Sequence, residues 1–173
     1  IRFGLKAIKN VGHNIVRTIV SERKNLGQFK SITDFIERVQ SRDLNKKSME
    51  ALIKCGAFDN FGERNQLLAS LEQILNLARE IQKAKQNGQI SLFENQPLIG
   101  ASSFSLLEAT AANKKERLTW EKELLGLYIS EHPLEDYQEK INYETTPLKN
   151  LSKELNGQQI TIHGIINKIQ KIN

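Results

Sequence analysis

LKAIKNVGHNIVRTIV, residues 5–20, decides the fold. Leu5 and Ile8 mark a short first helix, NVG (residues 10–12) is a turn, and Ile15, Val16, Ile19 and Val20 line one face of a second helix. At the start of that helix, the N–H groups from about Val11 to Asn14 have no helical partners. They point outward with the positive end of the helix dipole behind them, which suits a phosphate oxygen. Gly12 keeps a Cβ out of the approach path and permits a positive φ. The expected contact set is Lys6, Lys9, Asn10, Val11, Gly12, His13, Asn14 and Arg17. Backbone donors and cations recognise phosphates rather than bases, so binding is expected to be independent of sequence. The same pattern also fits an ordinary helical hairpin whose glycine ends a helix.

Charge points to the same third of the chain. The whole chain carries +5, and residues 1–60 hold 12 Lys/Arg against 6 Asp/Glu. Residues 61–173 hold 13 against 14. A polyanionic partner therefore belongs at the amino-terminal end, although a solvated lysine-rich face accounts for charge taken alone.

Downstream, SITDFIERV (31–39) offers Ser31 or Thr33 as an N-cap, and KKSMEALIKCGAF (46–58) follows Asn45, with Gly56 placed to end that helix. Ile15, Ile19, Phe35, Met49, Leu52 and Ile53 are the expected core. Residues 64–86 carry the strongest helical periodicity, through Leu67, Leu68, Leu71, Ile74, Leu75, Ala78 and Ile81. Periodicity is lost over 87–112, expected to be a mobile loop, and returns in 113–129 around Trp120. Trp120, Leu124, Leu125 and Tyr128 are expected to share a helix face that stops at His132-Pro133. Glu116, Glu121 and Glu123 are expected on a solvated face. ITIHGII (160–166) alternates like a strand, with Gly164 marking a bend.

One cysteine, Cys55, excludes a disulfide framework and fits a reducing cytoplasm. His13, His132 and His163 are scattered, so no metal site is expected, and His132 has no acid or nucleophile near it in sequence to act as a catalytic base. No apolar run is long enough to span a bilayer. The chain opens on Ile1 without an initiator Met, which predicts a cut in a longer chain.

The hairpin in 5–20 resembles the helix-hairpin-helix DNA-binding motif, and ITDFIERV with KKSMEALI looks like a degenerate second copy, with RDLN in place of the glycine hairpin. QISLF, Gln89, Ile90, Ser91, Leu92 and Phe93, resembles the sliding-clamp-binding pentapeptide: two apolar anchors with a glutamine amide to fix register. The alternative is that Leu92 and Phe93 anchor the loop on this chain's own core.

IRFGLKAIKNVG, LNKKSMEALIKCGAFD, GQISLF and WEKELLGLYISEHPL occur in that order. The succession is similar to the bacterial DNA polymerase III alpha subunit family, from the end of the fingers into the OB domain. The resemblance implies a mainly α chain: a tandem helix-hairpin-helix domain over 1–87, a loop with the clamp-binding motif over 88–112, a helical connector over 113–156 and the start of an OB-like β segment over 157–173. It implies duplex DNA, the sliding clamp (beta subunit) and the rest of the polymerase III core and holoenzyme as partners. No membrane is implied, and the location is cytoplasmic. The family's Mg²⁺-dependent nucleotide addition belongs to a palm domain that no part of this chain resembles. No catalytic residue, metal ligand or cofactor is therefore expected here, and the chain alone is expected to be inactive. A stand-alone helix-hairpin-helix adaptor without a catalytic parent is the alternative.

Overall fold

The computed structural model describes residues 4–41, 43–86, 104–137, 145–162, 164–166 and 169–171. Residues 1–129 form one compact unit and residues 130–173 another.

The first unit is helical. A single 3₁₀ turn, Leu5–Ala7, replaces the expected first helix. It is followed by α1 (His13–Leu26), α2 (Ile32–Arg38), α3 (Lys46–Lys54), α4 (Arg64–Ala69), α5 (Leu71–Gln86) and α6 (Lys114–Leu125). Each expected core residue is buried: Ile15, Met49 and Ile53 at 0%, Phe35 and Leu52 at 1%, and Ile19 at 5% exposure. They belong to one apolar cluster fed by all six helices. Phe35 sits at its middle, edge-on to Phe29 at 5.1 Å and to Phe58 at 4.8 Å, a geometry that suits the ring quadrupoles.

Local chemistry sets the helix ends. Ser31 accepts the Asp34 N–H at the start of α2. Asn45 and Ser48 form a capping box at the start of α3. The last carbonyls of α1 go to Arg38 on α2, which donates to Glu22 O at 2.6 Å and Gly27 O at 2.9 Å. Its guanidinium also lies 4.2 Å from the Phe29 ring centre. One side chain thus closes a helix end and fastens the first hairpin to the second.

The expected continuous helix over 64–86 is broken at Ser70, which has φ −85° and ψ 0°. The Ser70 hydroxyl accepts the Leu107 N–H at 2.8 Å, so a neighbouring segment docks at the break. Of the loop expected over 88–112, the described part, 104–112, is held at two more points. Asn65 Nδ2 donates to Thr110 O, and Ala112 N–H donates to Glu63. Gly62 lies so close to Leu106 that a Cβ would sit 2.3 Å from Leu106 Cδ1.

The 113–129 helix ends earlier than His132-Pro133, at Gly126, in left-handed conformation with φ 79°. Leu118 and Leu124 are buried, and Trp120 is half-buried under Lys54. The expectation of a solvated acidic face fails at Glu121. Glu116 serves in a capping box with Asn113, and Glu121 is only 1% exposed.

The second unit has three short 3₁₀ turns, Glu135–Tyr137, Leu148–Asn150 and Lys153–Leu155. Its described residues in 157–173 form no strand; Thr146 N–H reaches Thr161 O at 2.8 Å. The His132 ring nitrogen Nδ1 accepts the Leu134 N–H, which gives it a turn-closing role.

Candidate nucleic-acid interface

The turn before α1 exposes almost every residue expected to meet phosphate. Lys6, Lys9, Asn10, Gly12, His13, Asn14 and Arg17 are exposed. Val11 is the exception. Its side chain is buried at 9% exposure, and its N–H donates to Ile8 O at 3.3 Å. The hydrophobic side chain anchors the turn while the N–H closes it, so Val11 is no donor to a ligand.

The positive φ lies at Asn10 (69°), and Gly12 is extended at φ −68°. Asparagine tolerates the left-handed region better than other side chains with a Cβ. Gly12 therefore owes nothing to backbone strain. A Cβ built there meets nothing within 4 Å. The protein's own packing gives no reason for the missing side chain. The space in front of Gly12 is open to an approaching group.

No side chain caps α1. The first-turn N–H groups, beginning with His13 and Asn14, lie beside that open space with the helix dipole behind them. The second hairpin is built oppositely. Asn45 Oδ1 accepts the Ser48 N–H at 3.0 Å, and Ser48 Oγ accepts the Asn45 N–H at 3.0 Å. Its donors are filled from within. Lys46, which opens α3, is paired with Glu72 at 2.6 Å. The first hairpin thus leaves its helix start uncapped, and the second fills its own.

A tether that sequence reasoning missed holds the cradle in place. Lys9 N–H donates to Leu124 O at the end of α6, 2.9 Å away. No local signal announces it, because a backbone-to-backbone bond leaves no mark on residue type. The same helix is pinned to the core by Arg64, which reaches Glu121 at 3.3 Å, both oxygens of Asp59 at 2.8–2.9 Å and Lys54 O at 3.1 Å. Burial works against the Arg64 charge, but Asp59 and then Glu121 outweigh it and raise its pKa.

Among the described residues, no three His, Cys, Asp or Glu side chains gather as a metal site. Asp59 and Glu121 are paired with Arg64, and Glu63 accepts backbone N–H groups. No helix among the described residues is long and apolar enough to cross a membrane. Gln89, Ile90, Ser91, Leu92 and Phe93 lie outside the described residues.

Residues 1–68 match the family model of a helix-hairpin-helix motif. Over 98% of its length, the chain is 37% identical to the DNA polymerase III subunit alpha of Thermus aquaticus, of which it covers 14%. It is 44% identical over 80% of its length to the subunit of the same name from Deinococcus radiodurans, covering 10% of it. It is 36% identical over 99% of its length to that of Borreliella burgdorferi, covering 15%. The chain thus spans about a seventh of the Thermus aquaticus relative.

Proposed function

Because the chain belongs to the family of bacterial DNA polymerase III alpha subunits, we propose that it supplies the sequence-independent duplex-DNA contact of a replicative DNA polymerase. The observation that carries this reading is the uncapped start of α1 beneath Gly12, where a Cβ would meet nothing. Phosphate oxygens accept the α1 N–H groups, and Lys6, Lys9 and Arg17 supply the surrounding positive charge. The second hairpin, closed by Asn45 and Ser48, has a structural role.

Template-directed nucleotide addition, with its Mg²⁺, belongs in this reading to other parts of the polymerase. In this reading the chain's share is grip rather than chemistry. We assign QISLF to the sliding clamp, which puts a second weak contact on the same module. Two linked weak contacts give avidity while each can still release. We read 157–173 as the opening of an OB-like segment from the alternation of Ile160 and Ile162 in sequence. The cytoplasm is the matching location. The match of nearly the whole chain to polymerase subunits favours this over a stand-alone adaptor.

Fluorescence anisotropy with duplexes of unrelated sequence tests the reading. Similar affinities are expected for all of them, falling steeply with salt as counterions are released. Lys6→Glu with Lys9→Glu should weaken binding to every duplex alike. Strong preference for one sequence, or binding indifferent to salt, would overturn it.

A further inference from the structure

Beside the hairpin, a groove runs along the outer face of α1, lined by Lys6, Val16, Arg17, Val20, Ser21 and Lys24. Three of its six lining residues are cations and none is acidic. Glu22 is the only carboxylate on α1, and it faces the other way, 4.0 Å from Arg38. Arg17, Val20, Ser21 and Lys24 stand at i, i+3, i+4 and i+7, which places them on one helix stripe.

We propose that this groove is a second phosphodiester subsite, which carries the strand held at Gly12 onward along α1 to Lys24. The inference rests on the duplex-DNA reading above and extends it to Ser21 and Lys24. Distance separates the two subsites. At about 1.5 Å of rise per residue, Lys24 lies roughly 18 Å along the helix from Gly12. Each DNA strand carries a charge about every 3.4 Å of duplex axis, so one phosphate cannot serve both ends. Lys24 therefore meets a phosphate beyond the one in the cradle, and Arg17 stands between the two subsites. Ser21, exposed between Arg17 and Lys24, donates its hydroxyl to a phosphate oxygen. Val16 and Val20 give the groove an apolar floor, which suits the deoxyribose between charges.

The test compares salt slopes for the 173-residue chain with a labelled duplex, using Lys24→Ala, Gly12→Asn and, as a control, Lys83→Ala at an exposed position of α5. Removing one phosphate contact should flatten the slope by about 0.9, so the affinity lost between 50 and 200 mM salt shrinks about 3- to 4-fold. Lys24→Ala should do this and Lys83→Ala should not. If Gly12→Asn weakens binding while Lys24→Ala matches the unaltered chain, the groove is overturned and the hairpin reading stands. If Lys24→Ala and Lys83→Ala flatten the slope equally, the groove is also overturned, because general charge accounts for both. If neither Gly12→Asn nor Lys24→Ala changes binding, the hairpin reading falls and the groove with it.

Discussion

Arg64 and Glu121, 57 positions apart in sequence, form a buried ion pair at 3.3 Å, with side chains 7% and 1% exposed. Glu121 turns its other oxygen to the Ile129 N–H at 2.8 Å. The pair joins α4 to α6, the helix whose last turn holds Lys9. A buried pair of this kind is a weak source of net stability, yet removing one partner strands the other charge. Glu121→Ala should therefore cost about 3–5 kcal/mol. Asp59→Ala should cost distinctly less, because Asp59 is 50% exposed and water can replace it beside Arg64. Urea unfolding of the two variants checks the ordering.

Gly12→Asn should move stability and DNA binding in opposite directions. The position is extended, has room for a side chain and caps a helix with no side-chain cap. An asparagine there can accept an α1 N–H, as Asn45 does on α3. Helix stability should then rise by about 0.3 kcal/mol. The same side chain would fill the cradle, and duplex affinity should fall for all sequences alike. Thermal unfolding and anisotropy on one protein read both effects. Loss of stability with unchanged DNA affinity would count against the cradle.

Asn10, at φ 69°, is the strained point of the turn. Asn10→Gly should be nearly neutral, whereas Asn10→Val should cost about 1–2 kcal/mol, since a β-branched side chain fits the left-handed region poorly. Chemical unfolding of the pair settles whether the strain sits at residue 10 or at Gly12.

Much of this architecture was legible because its determinants are local. Apolar periodicity marked α1 and α3, and Ser31 and Asn45 announced the caps of α2 and α3 by residue type. The legible part of the cradle was likewise local: a glycine, flanking cations and a turn. What escaped was long-range. Glu121, between Trp120 and Lys122, looks like any acidic residue on a charged helix, and only the fold brings Arg64 of α4 onto it. The break at Ser70 coincides with Leu107 docking there, and a serine inside a periodic run carries no sign of that. Gly12 drew the positive φ in sequence reasoning because glycine permits it, while the structure gives it to Asn10.

Cys55 should resist alkylation in the folded protein. Burial, opposed by backbone hydrogen bonds and the nearby Arg64 charge, pushes its thiol from 9.0 up to about 11. The thiolate is the nucleophile, so at pH 8 only roughly one molecule in a thousand is reactive. Iodoacetamide labelling at pH 8 should be slow, and urea should accelerate it at least tenfold. The sign for stability follows. The folded state holds the neutral thiol more firmly than the unfolded chain does. This contribution is present below about pH 9 and lost as pH rises towards 11.

The QISLF segment separates two roles through paired measurements. If Leu92 and Phe93 anchor a sliding clamp, changing both to Ala should leave unfolding nearly unchanged, since side chains that serve a partner contribute little to the fold. Clamp affinity should then drop by at least tenfold, because a short peptide binds through few apolar anchors. If they pack on this chain instead, each truncation should cost about 2–5 kcal/mol, and clamp binding should survive in whatever fraction stays folded. The glutamine adds a third reading. Gln89→Ala removes hydrogen bonds that fix register but leaves the anchors, so it should weaken clamp binding less than the double change and leave the melting temperature alone. A lowered melting temperature with intact clamp affinity in the Leu92/Phe93 variant would assign the segment to the core.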